Sequence, residues 1–199
     1  MKKKLSYLLP LFLIWGCQVG EVKEVSSERE TMGQEELNEM SIFHLPSHWT
    51  TQHGETIEFG DLEGKPLVVV MIYTACKTAC PRLVADMRHI EQATNGKTRE
   101  VTYILVSIDP VNDTPERLAQ FAKDNAMEGP QWLFLQGTED GVRDFANVLA
   151  VKYKRINPID FSHSNIISVF DERGVLQYQK EGLGLENNEI VAKIVEFGN

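Results

Sequence analysis

The sequence predicts an α/β sandwich built on a mixed β-sheet flanked by helices. Two uninterrupted apolar runs, Leu67 to Tyr73 and Val101 to Ile108, have the composition of strands buried on both faces, as parallel strands are. Each is followed by a segment with apolar residues at helical spacing, and a hairpin pattern stands at either end of the series. With 199 residues, 42% hydrophobic and 25% charged, the chain suits one domain with its own core. Collagen-like, coiled-coil and wholly disordered readings are excluded by that composition.

The first sixteen residues carry no part of this domain. Lys2, Lys3 and Lys4 precede an apolar stretch from Leu5 to Trp15, the plan of a secretory signal peptide. A membrane span needs about 20 apolar residues, and Pro10 interrupts this stretch. Leu13-Ile14-Trp15-Gly16-Cys17 resembles the lipobox of bacterial lipoproteins, which implies that Cys17 is acylated and becomes the mature N-terminus. Cleavage would remove three lysines and take the formal charge from −9 to −12. Residues 17–40 are polar and Glu-rich and read as a lipid-anchored acidic tether. The domain is then expected at residues 41–199, held at a bacterial envelope membrane outside the cytoplasm, facing the periplasm if the cell is Gram-negative.

Within the domain, Trp49 to Phe59 reads as a short hairpin turning at His53-Gly54. The Leu67 to Tyr73 strand follows, then two cysteines, then a helix opened by Pro81 with Leu83, Val84, Met87 and Ile90 on one face. After the Val101 to Ile108 strand, Thr114-Pro115 starts another helix, capped by Thr114 or Asp113, with Leu118, Phe121 and Ala122 inward. Trp132 to Leu135 is a third strand, and Val142, Phe145, Ala146 and Leu149 form a helical stripe. Ile166 to Phe170 and Val175 to Tyr178 flank a turn at Asp171-Glu172-Arg173-Gly174, and a helix at about Asn188 to Phe197 closes the chain.

Charge narrows the partners. Acidic residues outnumber basic ones by 29 to 20, with no local Lys/Arg stripe, so nucleic acid is not an expected partner. Chemistry is expected in the loop after the first long strand, at the carboxyl end of the sheet, where α/β folds place their sites.

That loop reads Thr74-Ala75-Cys76-Lys77-Thr78-Ala79-Cys80-Pro81. Thiols four apart can be brought to one side, so the pair can form one disulfide or grip one metal. A helix starting near Pro81, with Lys77 close by, is expected to favour thiolates. Zinc would want four ligands, and no second cysteine pair exists. Soft thiolates select Cu(I), for which two sulfurs and one imidazole would suffice. Among His44, His48, His53, His89 and His163, only His163 lies in a loop that could face the cysteines. The residues alone leave it open as a metal ligand or a loop-capping histidine.

TACKTACP, SIDPVNDTPERL (Ser107 to Leu118) and DFSHSNIISVFDERG (Asp160 to Gly174), in this order, resemble the Sco/SenC family of copper proteins. The likeness covers roughly residue 41 to the C-terminus. It implies a thioredoxin-like fold, a copper ion held by Cys76, Cys80 and His163, and delivery of that copper to the copper A centre of cytochrome c oxidase subunit II. One residue departs from the pattern: the family usually has proline after the first cysteine, and this chain has Lys77. Asp109-Pro110 and Asp113 read as turn and cap chemistry.

A second function class is a thiol–disulfide oxidoreductase in which Cys76 and Cys80 are a catalytic redox pair keeping a partner's cysteines reduced. Against it, the spacing exceeds the thioredoxin C-x-x-C by one residue, and neither Ser164 nor Asn165 is the proline that thioredoxins set opposite their cysteines. A peroxidase is disfavoured because no threonine lies three residues before either cysteine. An inert structural disulfide is disfavoured because a domain of this size needs no staple. If Cys17 carries the anchor, Cys17→Ala will move the protein from the membrane to the soluble fraction. A variant that stays in the membrane fraction excludes the lipid anchor.

Overall fold

The structure is a computed structural model and describes residues 40–77, 79–98, 100–184 and 187–197. The expected signal peptide, Cys17 and all of the tether except Met40 lie outside the described residues. From the first hairpin onward, the strands and α-helices come in the order expected from the sequence, with one addition.

Strands β1 (His48–Thr51) and β2 (Thr56–Glu58) form that hairpin, with Trp49 opposite Ile57. Gly54 in its turn has a φ of 82°, a left-handed conformation that side chains strain to adopt. β3 (Leu67–Ile72) is buried at every position, so both faces of the sheet are covered there. Helix α1 (Cys80–Thr94) begins one residue earlier than the sequence suggests, which makes Cys80 its first residue, with Pro81 in the first turn. Leu83, Val84, Met87 and Ile90 form its buried face.

β4 (Thr102–Ser107), also buried throughout, pairs parallel with β3, from Leu67 opposite Thr102 to Ile72 opposite Ser107. Helix α2 (Pro115–Asp124) is capped by Thr114, whose hydroxyl accepts from the Arg117 amide. β5 (Trp132–Gln136) adds a third parallel strand, and α3 (Glu139–Val148) is capped by Thr138. Trp49 packs its ring against Phe59 at 5.7 Å and Phe145 at 5.3 Å, which ties the hairpin to α3.

The addition is a separate two-stranded ribbon, β6 (Tyr153–Arg155) and β7 (Phe161–His163), antiparallel, with Tyr153 opposite His163 and Arg155 opposite Phe161. Each strand has three residues and β6 is largely polar, which leaves too little alternation to be read as a strand. The turn between them did carry a signal: Asn157 folds back to accept from the Ile159 and Asp160 amides, both at 2.9 Å. β8 (Ile166–Phe170) then runs antiparallel along the free side of β3, and β9 (Leu176–Glu181) pairs with β8. The seven-stranded order is β2-β1-β5-β4-β3-β8-β9. Helix α4 (Asn188–Phe197) packs on α1 and on β8 and β9.

This topology brings three loops to one edge. β3 and β4 are parallel, so the segments after Ile72 and after Ser107 leave from the same end. β8 is antiparallel to β3, so the β6–β7 ribbon arrives at that end too. The Gln52 side chain extends the β1–β5 pairing: its Nε2 donates to the Trp132 carbonyl and its Oε1 accepts from the Phe134 amide, both at 2.9 Å. Gln52→Leu would leave both backbone groups buried without partners, so urea unfolding is expected to show a loss of about 2 kcal/mol or more.

Candidate metal centre

The three expected ligands come from two of those loops. Beyond Ile72 the chain continues through the buried Tyr73 and turns, with the Cys76 amide bonded to the Tyr73 carbonyl. Cys76 is 8% exposed and Cys80 fully buried, and the two are not joined in a disulfide. At the start of α1 the Cys80 amide has no partner within the helix, and it donates to Cys76 Sγ at 3.3 Å. The helix end thus holds the first sulfur beside the second.

His163 comes from the ribbon. Alternation along β7 turns Phe161 and His163 inward and leaves Ser162 exposed. His163 Nδ1 lies 3.0 Å from the Ser164 carbonyl. A carbonyl can only accept, so Nδ1 carries the ring proton and Nε2 keeps its lone pair. Nε2 is 3.9 Å from Cys80 Sγ, and the two sulfurs and the nitrogen lie within 4.8 Å of one another. Metal–sulfur and metal–nitrogen bonds of about 2.3 and 2.0 Å in a trigonal set would place donors about 3.8 Å apart. The set therefore fits one soft ion after a small contraction.

The other histidines lie elsewhere. His48 pairs with Glu58 at 3.1 Å, His89 is exposed on α1, and His44 and His53 are exposed. Lys77 is exposed one residue after Cys76.

Burial sets the electrostatics. Desolvation, with smaller contributions from Cys76 and Asp113, pushes the Cys80 thiol far above its ordinary value, against a backbone hydrogen bond at Tyr73. The expectation that the helix start favours thiolates is not met at Cys80, where burial raises the thiol. The helix amide instead reaches Cys76. Tyr73 is pushed up to about 12, chiefly by burial. Burial also lowers the His163 value, opposed by the Ser164 carbonyl. Without an ion the pocket favours a neutral Cys80 thiol and a neutral imidazole, and binding of a soft cation by thiolate must release protons.

Two residues read as turn and cap chemistry turn out to be buried supports. Asp113 is 1% exposed and accepts from the Thr74 amide at 3.0 Å, from the Thr74 hydroxyl, and from the Ser107 hydroxyl at 2.6 Å. Asp109, equally buried, accepts from Arg155 Nη2 at 3.0 Å and from Asn112 at 2.8 Å. The available signal was polar side chains placed directly after a fully apolar strand, where a buried end must satisfy them.

A family model described as SCO1/SenC matches residues 35–197. The SCO1 protein homolog of Bacillus subtilis is 28% identical over 115 residues, 57% of this chain and 60% of that protein. The chain spans between 46% and 64% of the length of the curated relatives it matches. Among solved structures, a SCO1/SenC family lipoprotein from Bacillus anthracis superposes with a TM-score of 0.72 at 21% identity, covering 79% of this chain and 96% of that one. Bradyrhizobium japonicum ScoI with copper bound superposes with a TM-score of 0.65 at 22% identity, covering 76% and 97%. These likenesses bear out the thioredoxin-like mixed α/β fold.

The lowered His163 value has a measurable sign. Below about pH 6.5 the unfolded chain binds a proton at this ring that the folded chain resists, so stability is lost as pH falls from there through the lowered folded value. In the metal-free protein, the His163 ring resonance should titrate below the ordinary imidazole value of about 6.5. A midpoint at or above that value would contradict its burial.

Proposed function

The chain belongs to the SCO1/SenC family, and on that premise we propose that it is a copper metallochaperone whose cargo is held by Cys76, Cys80 and His163. The observation that carries this reading is the convergence of two thiols and one lone-pair nitrogen within 4.8 Å. Soft sulfur donors and a single imidazole suit Cu(I) better than a hard cation, and three ligands leave room for a fourth. That room matters for cargo. A donor of the recipient can bind before a ligand of this chain lets go, so the ion is never released to water. The copper-bound Bradyrhizobium japonicum relative supports the identity of the ion.

The recipient is the copper A centre of cytochrome c oxidase subunit II, a reading supported by the family resemblance. Cys17 ties the protein to an envelope membrane by its lipid, and residues 17–40 give the domain its reach. The Bacillus anthracis relative, a lipoprotein, supports that placement.

One observation favours the oxidoreductase reading as well: the sulfurs of Cys76 and Cys80 lie side by side, within 4.8 Å and in reduced form. As a redox pair they would give two electrons and two protons to a partner's disulfide and become a disulfide themselves. That role has no evident use for His163. Anaerobic copper titration separates the readings. Wild type should bind one copper, Cys76→Ser should lose tight binding, and His163→Ala should bind at least tenfold more weakly. A His163→Ala variant that binds copper like wild type removes the third ligand. If it also keeps full disulfide exchange toward a copper A peptide, the oxidoreductase reading prevails.

A further inference from the structure

The two halves of the site are carried by elements that share no strand ladder. The cysteines follow β3 of the main sheet, and His163 ends a ribbon that forms a sheet of its own. The β3–β8 pairing brings the two halves to one edge, and the remaining separation between them is left to side chains. One short turn after β4 touches both halves. On one side, Asp113 takes the amide and hydroxyl of Thr74, two residues before Cys76, and the hydroxyl of Ser107 at the end of β4. On the other, Asp109 takes Arg155 Nη2 at 3.0 Å.

Arg155 is well placed to pass that grip to the histidine. Its Nη1 donates to the Pro158 carbonyl at 3.0 Å in the ribbon's turn, and its Cζ lies 4.4 Å over the ring of Phe161, its partner across the ribbon. Phe161 lies on the same face of β7 as His163, and its ring centroid is 5.2 Å from that of Tyr73. Tyr73 in turn meets the His163 ring edge-on at 5.9 Å. The turn itself is stiff: the Asn112 and Asp113 amides both bond to the Asp109 carbonyl, at 3.0 and 2.9 Å, and Pro110 restricts its backbone.

We propose that the Asp109–Asp113 turn is the spacer that sets the sulfur-to-imidazole distance, with Asp113 positioning the cysteine half and the Asp109–Arg155 pair positioning the histidine half. What the distance serves rests on the copper reading, but the spacing itself does not. None of these residues touches the ion; they are positioning residues, and each acts on one half of the site.

The test uses that asymmetry. Arg155→Met keeps a long side chain over Phe161 and removes the grip on Asp109. In the metal-free protein it should weaken the nuclear Overhauser contacts between the His163 and Tyr73 rings. It should also lower copper affinity at least tenfold while leaving the Cys76–Cys80 reduction potential at the wild-type value. Arg155→Lys should recover part of the affinity. Asp113→Asn should shift the reduction potential and the alkylation rate of Cys76. Because Arg155→Met leaves a buried carboxylate without its cation, the double variant with Asp109→Asn is measured beside it and should show the same split. Unchanged ring contacts and affinity in the folded Arg155 variants would overturn the proposal. So would affinity and potential falling together in step with melting temperature, the mark of a merely structural role. A wild type that binds no copper would sink the copper reading alone, since ring contacts and potential report the spacing without metal.

Discussion

Six consecutive pairings between β3 and β4, from Leu67 opposite Thr102 to Ile72 opposite Ser107, decide where the chemistry can be. Slipping a strand by one residue would turn every side chain to the other face, and both strands are buried on both faces, so the register is strongly held. Held parallel, the two strands release the cysteine loop and the Asp109–Asp113 turn at one edge. The antiparallel β8 brings the histidine ribbon to the same place. The donors are close because of the sheet, although no two of the loops that bear them are adjacent in sequence.

Burial then gives the pocket its selectivity. A hard divalent cation seeks several oxygen ligands, and the donors here are two sulfurs and an imidazole. The Cys80 thiol resists ionisation in this setting, so an ion must interact strongly with sulfur to displace its proton. The same resistance slows attack by the Cys80 sulfur on disulfides or oxidants, since the thiolate is the nucleophile. Cys76 Sγ, by contrast, accepts the first amide of the helix.

Much of this was legible in the residues. The apolar runs marked β3 and β4, Pro81 and Pro115 marked helix starts, and the cysteine pair marked the site. Periodicity works within a segment, and what it missed depends on contacts across segments. Arg155 meets Asp109 from 46 positions away, and nothing near either residue announces the other. The ribbon went unread because its strands are three residues long and Arg155 has its side chain on an aromatic ring of the opposite strand. The thiolate expectation failed for a related reason. A helix start can be read from sequence, but the depth to which Cys80 is covered comes from the packing of the whole domain.

The proton held on His163 Nδ1 by the Ser164 carbonyl has a consequence for oxidation state. An imidazole locked in that tautomer contributes no charge, so if both cysteines bound as thiolates, a monovalent ion would leave one net negative charge and a divalent ion none. A covered pocket opposes the residual charge and the soft donors oppose the divalent ion, so the two influences pull the redox couple in opposite directions. The exposed Lys77, beside Cys76, would add a positive charge on the side of the balance that favours the monovalent ion.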